Sequence, residues 1–180
     1  VTPRRRRAQV LSHPAPVTSD RLQLSDVDVP APGPGEIAID VAACGVCRTD
    51  LQLIEGDLPA RRLPIVPGHQ VVGRVSAIGE DVDRWQLGDR VGVAWLAGAC
   101  GTCARCRAGD ENLCDLAEFT GWDRDGGYAE MMVARADFAF SIPDAFSDIE
   151  AAPLLCGGVI AMSVCPAGAR QTGARHAAVR

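Results

Sequence analysis

Four cysteines, Cys100, Cys103, Cys106 and Cys114, lie in the stretch CGTCARCRAGDENLC with spacing C-x2-C-x2-C-x7-C. This spacing constrains the chain more than any other feature. Four thiolates carried by one loop can close a tetrahedron around zinc and leave no coordination position for a substrate, so the loop predicts a structural zinc site. An iron–sulfur cluster is the rival, but there the fourth cysteine follows after three residues and precedes a proline. Here the gap is seven and Asp115 follows. A nucleic-acid-binding zinc ribbon fits poorly, because the loop mixes Arg105 and Arg107 with Asp110 and Glu111 and offers no aromatic ring for base stacking. The 180 residues show no secretory leader and no apolar run long enough to cross a bilayer. Reduced thiols and a cytoplasmic setting are therefore expected.

Around that loop the pattern is mainly β. From about residue 20 to 140 short alternating runs are separated by Pro/Gly turns. EIAIDVAA sets Ile37, Ile39 and Val41 on one face and Glu36 and Asp40 on the other. QVVGRVSAIG, RVGVAW and GGYAEMMVA read as further strands that a barrel or sandwich would close. Residues 1–19 are expected to form a flexible segment whose arginines 4 to 7 are a solvated run. SDIE at 147–150 has the form of a helix-capping box, and Pro153 is suited to open a second helix that holds Cys156 in its first turn. Residues 159–180 contain three arginines and no acid, and are expected to be an irregular, disordered tail.

Charge excludes several functions. A net charge of −5 argues against nucleic acid or an anionic membrane as a partner. All 18 basic residues are arginine, which removes Schiff-base lysines and phosphate-loop lysines at once. What remains is thiol and imidazole chemistry. CGVCRTDLQ contributes Cys44 and Cys47, a pair that could be redox-active or half of a metal site. PGHQVVG contributes His69, and APLLCGG contributes Cys156. Three protein ligands and a water make an open, catalytic zinc site, so these residues are candidates for a second metal.

Taken in order, CGVCRTDL, PGHQVVGRV, GDRVGVAW, the four-cysteine loop, GGYAE and EAAPLLCGG resemble the N-terminal catalytic domain of zinc-dependent medium-chain alcohol dehydrogenases over residues 20–158. The resemblance implies a GroES-like β-barrel domain with two zinc ions, which in the family is joined to a Rossmann domain for NAD(P). It implies that Cys47, His69 and Cys156 hold the catalytic zinc, leaving Cys44 as a packing residue. Asp50 would orient the His69 ring, Thr49 would take the proton of the alcohol, Arg48 would approach the cofactor pyrophosphate and Trp95 would wall the substrate pocket. Trp122 and Tyr128 are read as packing residues. Small alcohols and aldehydes would be the substrates, and the family is usually homo-oligomeric.

The resemblance has two departures. Gln52 stands where many members end the proton relay with histidine, so a solvent chain would have to serve. Gln70 replaces a glutamate near the metal and removes a negative charge. No G-x-G-x-x-G turn between a strand and a helix occurs in the 180 residues: GPGEIA opens a strand, and GARQTG lacks the Lys-Ser/Thr of a phosphate loop. The chain is thus expected to be truncated before the Rossmann domain, its tail resembling another reading frame, and to be inactive alone. A non-enzymatic zinc-binding remnant or partner-binding module is the competing expectation.

Overall fold

A computed structural model describes residues 4–17 and 21–164. Nine strands and four short helices are assigned among them. Strands β3 (Glu36–Cys44), β4 (Val71–Ile78), β5 (Arg90–Val93), β8 (Met131–Arg135) and β9 (Ala139–Ser141) form one antiparallel sheet in the order β8-β3-β4-β5-β9, which curls into a half-barrel. The alternation read in EIAIDVAA holds in β3. Ile37 and Ile39 are fully buried in the main core, Val41 packs against it, and Asp40 is exposed.

Trp85, in the link before β5, closes the same core and donates its indole N–H to the Ala136 carbonyl at 3.0 Å. Register shifts beside Ile39 and after Val41 bend β3 over β4. Gly73 lies opposite that bend, and a Cβ there would stand 2.3 Å from the Asp40 carbonyl oxygen. Ile39→Ala leaves a cavity that rigid neighbouring strands cannot fill, and we expect it to cost about 2–5 kcal/mol in urea unfolding.

The N-terminal expectation is corrected. Arg4–Leu11 is a strand, β1, paired antiparallel with β2 (Leu22–Val29). Burial of Ala8 and Leu11 anchors the strand, and charge register supports it. Arg5 and Arg7 stand directly opposite Asp28 and Asp26, and opposite charges across a strand pair are stabilising. Arg5 lies 3.6 Å from Asp28, while Arg7 turns to Glu130 at 2.6 Å. Leu11, at the end of β1, is fully buried with Leu53, Ile54 and Ile65.

The expectation for the C-terminal tail is also corrected where it can be compared. A helix, α4 (Gly157–Val164), runs through 159–164, and no proline intervenes to stop it. The remainder of that tail lies outside the described residues. No helix among the described residues is long and apolar enough to cross a membrane.

Candidate metal centres

The loop after β6 (Leu96–Gly98) builds the first centre, and β7 (Glu118–Phe119) pairs back onto β6 at its base. Cys103 caps α2 (Ala104–Ala108), its sulfur accepting from the Cys106 backbone N–H at 3.4 Å. The same pattern repeats at Cys100, which accepts from Cys103 N–H at 3.4 Å, and at Cys114, which accepts from Leu116 N–H at 3.4 Å. Backbone amides thus hold the sulfurs of Cys100, Cys103 and Cys114 in place.

All four sulfurs lie within 4.8 Å of one another, with Cys103–Cys106 at 3.5 Å and Cys100–Cys106 at 3.9 Å. Tetrahedral zinc–thiolate bonding requires sulfurs about 3.8 Å apart, so the cluster fits zinc. Two of the thiols differ in how readily they ionise. Hydrogen bonds from Thr102 and Cys103 bring the Cys100 thiol down to about 6, whereas burial and the crowding of Cys103 push Cys106 up to about 12. Four negative sulfurs at this separation repel unless a metal neutralises them.

The second centre is assembled from three distant segments. Cys47 caps α1 (Arg48–Glu55): its sulfur accepts from Thr49 N–H at 3.4 Å, and the Asp50 carboxylate accepts from Cys47 N–H at 2.9 Å. Asp50 then turns its other oxygen to Gly68 N–H at 3.2 Å and to His69 Nδ1 at 3.1 Å. Asp50 is 3% exposed and His69 1%. Held this way, Nδ1 carries the proton toward Asp50 and Nε2 is left as a lone-pair donor.

Cys156 arrives from the far end of the chain. The predicted capping box is present, with Ser147 and Glu150 closing α3 (Asp148–Ala151), and Pro153 lies in a 3-10 turn over Ala152–Leu155. The placement of Cys156 in a first helical turn is corrected. It stands at the junction between that turn and α4, with its carbonyl accepting from Ile160 N–H at 3.1 Å. The helix expected from Pro153 is instead a 3-10 turn, and α4 starts only at Gly157, so Cys156 lies between the two.

Cys47, His69 and Cys156 bring their donor atoms within 4.8 Å of one another. Two sulfurs and one imidazole nitrogen fit a zinc ion with a fourth position open. Metal binding at this donor set displaces protons, since its ligands bind as thiolates and neutral imidazole. Burial opposes ionisation of Cys47, yet the Thr49 hydrogen bonds and the His69 charge hold its thiol below the ordinary range. Burial likewise opposes a charge on His69, but Asp50 and Cys47 raise it. Cys156 is raised by burial and by the Cys47 charge beside it.

The other predicted residues fall around this centre. Cys44 does not join it: burial pushes its thiol up to about 12 and it packs against the main core. Thr49 is half-buried beside Cys47, and Arg48 is exposed, 4.0 Å from Glu55 and 3.6 Å from Asp57. Gln52 sits half-buried on α1, its carbonyl accepting from the N–H groups of Gly56 and Leu58. Gln70 is buried, with its side chain against Gly45 and its amide donating toward Cys156, so the neutral replacement of a carboxylate is tucked against a metal-centre thiol. Trp95 lies two residues beyond the end of β5 rather than at its end, and its ring meets His69 edge-on at 4.9 Å.

Two residues read as packing have more to do than that. Trp122 stacks on Trp95 at 5.8 Å and 18°. Tyr128 buries its hydroxyl without a hydrogen-bond partner, and both burial and the Asp50 charge raise its pKa. The Gly-Gly before Tyr128 was the only sequence signal: Gly127 and Gly68 leave the room into which Cys44 and the tyrosine ring pack.

The described residues thus form a curled β domain with two candidate metal sites, one a closed four-cysteine cluster and one a Cys-His-Cys cluster with room for a fourth ligand. The alcohol dehydrogenase GroES-like domain family matches residues 33–144, and the chain belongs to the zinc-type medium-chain alcohol dehydrogenase family. A Mycobacterium tuberculosis protein named "Probable alcohol dehydrogenase AdhA" is 49% identical over 152 residues, covering 82% of this chain and 44% of that protein. An alcohol dehydrogenase of Moraxella sp. is 47% identical over 139 residues, covering 77% of this chain and 41% of that protein. The solved structure of a cobalt- and zinc-bound thermostable alcohol dehydrogenase from Pyrobaculum aerophilum superposes with a TM-score of 0.81 at 30% identity, covering 94% of this chain and 49% of that one. The chain therefore spans less than half the length of these relatives.

Proposed function

We propose that this chain supplies the metal-binding catalytic part of an alcohol dehydrogenase that interconverts alcohols with aldehydes or ketones using NAD(P). The convergence of Cys47, His69 and Cys156 on one point carries the reading, because three ligands leave a position for substrate. A zinc ion bound there supplies Lewis acidity that acidifies the substrate hydroxyl.

The chain's own residues do the rest. Asp50 fixes the His69 tautomer and ring plane through the 3.1 Å contact at Nδ1. The Thr49 hydroxyl, next in sequence to the capping Cys47 and exposed on one side, accepts the proton of the alcohol and passes it outward. Gln52 cannot titrate, so the last transfer goes to water. Trp95 excludes water beside His69 and presents an apolar face to the body of the substrate. Arg48, on the exposed face of α1, is the cation available to a cofactor pyrophosphate. The four-cysteine loop holds a second zinc that braces the domain. By family, the whole protein is expected to be a homo-oligomer.

The test is metal loading followed by ligand addition. The purified chain should bind two zinc ions, and a sample with cobalt in the Cys47–His69–Cys156 centre should change its visible absorption when benzyl alcohol is added. A centre that takes metal but gives no response to any alcohol would favour a non-enzymatic zinc-binding module. NAD(P)H should quench poorly and turnover by these 180 residues alone should be undetectable, since they contain no dinucleotide-binding glycine turn.

A further inference from the structure

The segment between α1 and β4 is laced to the turn that follows β7. Arg61 donates to both carboxylate oxygens of Asp123 at 3.1 Å each. The same guanidinium lies over Trp122 at 3.9 Å from the ring centroid and 5.6 Å from that of Phe119. Asp123 also accepts from Phe119 N–H at 2.9 Å, and the Trp122 indole donates to the Pro59 carbonyl at 2.9 Å. From there the rings continue inward. Phe119 and Trp122 both stack on Trp95, at 5.0 Å and 5.8 Å, and Trp95 meets His69. A surface cation is thus linked through stacked rings to a ligand of the open metal centre.

The geometry points to Arg61 as a positioning residue for the substrate, a proposal that rests on reading the Cys47–His69–Cys156 centre as the alcohol site. Its guanidinium holds two things together: Nη1, bonded to both Asp123 oxygens, anchors the group, and its plane covers Trp122, which stacks on Trp95. Trp122 is half-exposed; its other edge packs against the Leu11–Ile65 cluster and its indole is bonded to Pro59, so Arg61 is the cover of its open face. A loosened Trp122 removes the backing of Trp95, the ring against which a planar, apolar alcohol must pack while its hydroxyl reaches the metal. A short alkyl alcohol touches little of that wall. Arg61 therefore favours aryl alcohols over ethanol without touching either. A guanidinium is suited to the task because it can stack on a ring while one of its nitrogens pairs with a carboxylate, whereas an ammonium can do only part of this.

The test compares wild type, Arg61→Ala and Arg61→Lys, each cobalt-substituted at the open centre. Near-ultraviolet circular dichroism reads the stacked tryptophans, and visible absorption reads titrations with benzyl alcohol and with ethanol. In R61A the tryptophan signal should collapse and the affinity for benzyl alcohol should fall roughly five- to tenfold. Ethanol affinity should stay within about twofold, and metal content should not change. R61K should recover part of the benzyl alcohol affinity. Equal weakening of both alcohols, or an unchanged benzyl alcohol titration in R61A, overturns the proposal. If the wild-type cobalt spectrum responds to neither alcohol, the reading of the centre as an alcohol site fails. The dichroism then still decides whether Arg61 holds the stack: an intact tryptophan signal in R61A refutes the clamp, and its loss upholds it.

Discussion

Replacing Cys106 with serine is expected to halve the zinc content, from two equivalents to one, and to lower the melting temperature of the metal-loaded chain by roughly 10 °C. The sulfur is buried, 3.5 Å from Cys103, and sits at the centre of a small cluster formed with Ala99 and Cys114. A serine hydroxyl is a poor zinc ligand at neutral pH, so the loop loses its tetrahedron. The remaining three thiols are left in a site shaped for a cation. Structural zinc contributes directly to folding energy, and breaking a buried charged cluster costs about 3–5 kcal/mol, each worth about 2–4 °C in a domain of this size. Little else holds this region, since α2 is five residues long and β7 only two. Zinc analysis and a thermal scan of the metal-loaded protein check the outcome. Retention of both metals with an unchanged melting temperature would show that the loop folds by its own contacts.

At the open centre the larger effect is expected from His69→Ala, the more instructive one from Asp50→Asn. H69A should lose the second zinc while keeping the tetrathiolate one, because the remaining Cys47 and Cys156 are too few to hold it against water. It also leaves Asp50, 3% exposed, without its ring partner. D50N keeps all three ligands. Its amide still accepts one N–H, but an NH2 group faces a donor where a second oxygen was. The three donors that now converge on the carboxylate, from Cys47, Gly68 and His69, cannot all be satisfied. Zinc affinity should drop about 10- to 100-fold. A chelator competition in which D50N matches wild type would show that Asp50 serves the helix cap and not the metal.

How much of this was legible in the sequence depended on the range of the interaction. The four-cysteine loop is local: its ligands lie close enough that the backbone can bring them together with no help from the rest of the fold. The same holds for the Ser147–Glu150 box and for the Ile37–Ile39 face of β3, each a matter of three or four consecutive positions. Cys47, His69 and Cys156 could be named together only because their surrounding motifs resemble a family. Nothing in their spacing says that they meet.

The misread parts share one cause. Residues 4–11 read as flexible because their strand partner, with Asp26 and Asp28, and Glu130 lie farther along the chain; Arg5 and Arg7 are solvated, as read. The tail after Gly158 read as irregular because its helix depends on following Cys156 rather than on any periodicity of its own. Trp122 and Tyr128 do pack, as read, and only their neighbours, Arg61 in one case and Asp50 in the other, were not legible.

By itself the sequence determined which side chains could bind metal, the strand alternation that folds the core, and the absence of lysine chemistry, since these follow from residue type and from distances of a few positions. Only the tertiary structure decided that a helix cap, a loop histidine and a helix junction aim three donors at one point. The same is true of the arginine that reaches across 62 residues to back the aromatic wall beside them. Directions of side chains from separate segments are set by how the sheet curls, and that curl is a property of the whole core and of no single stretch of it.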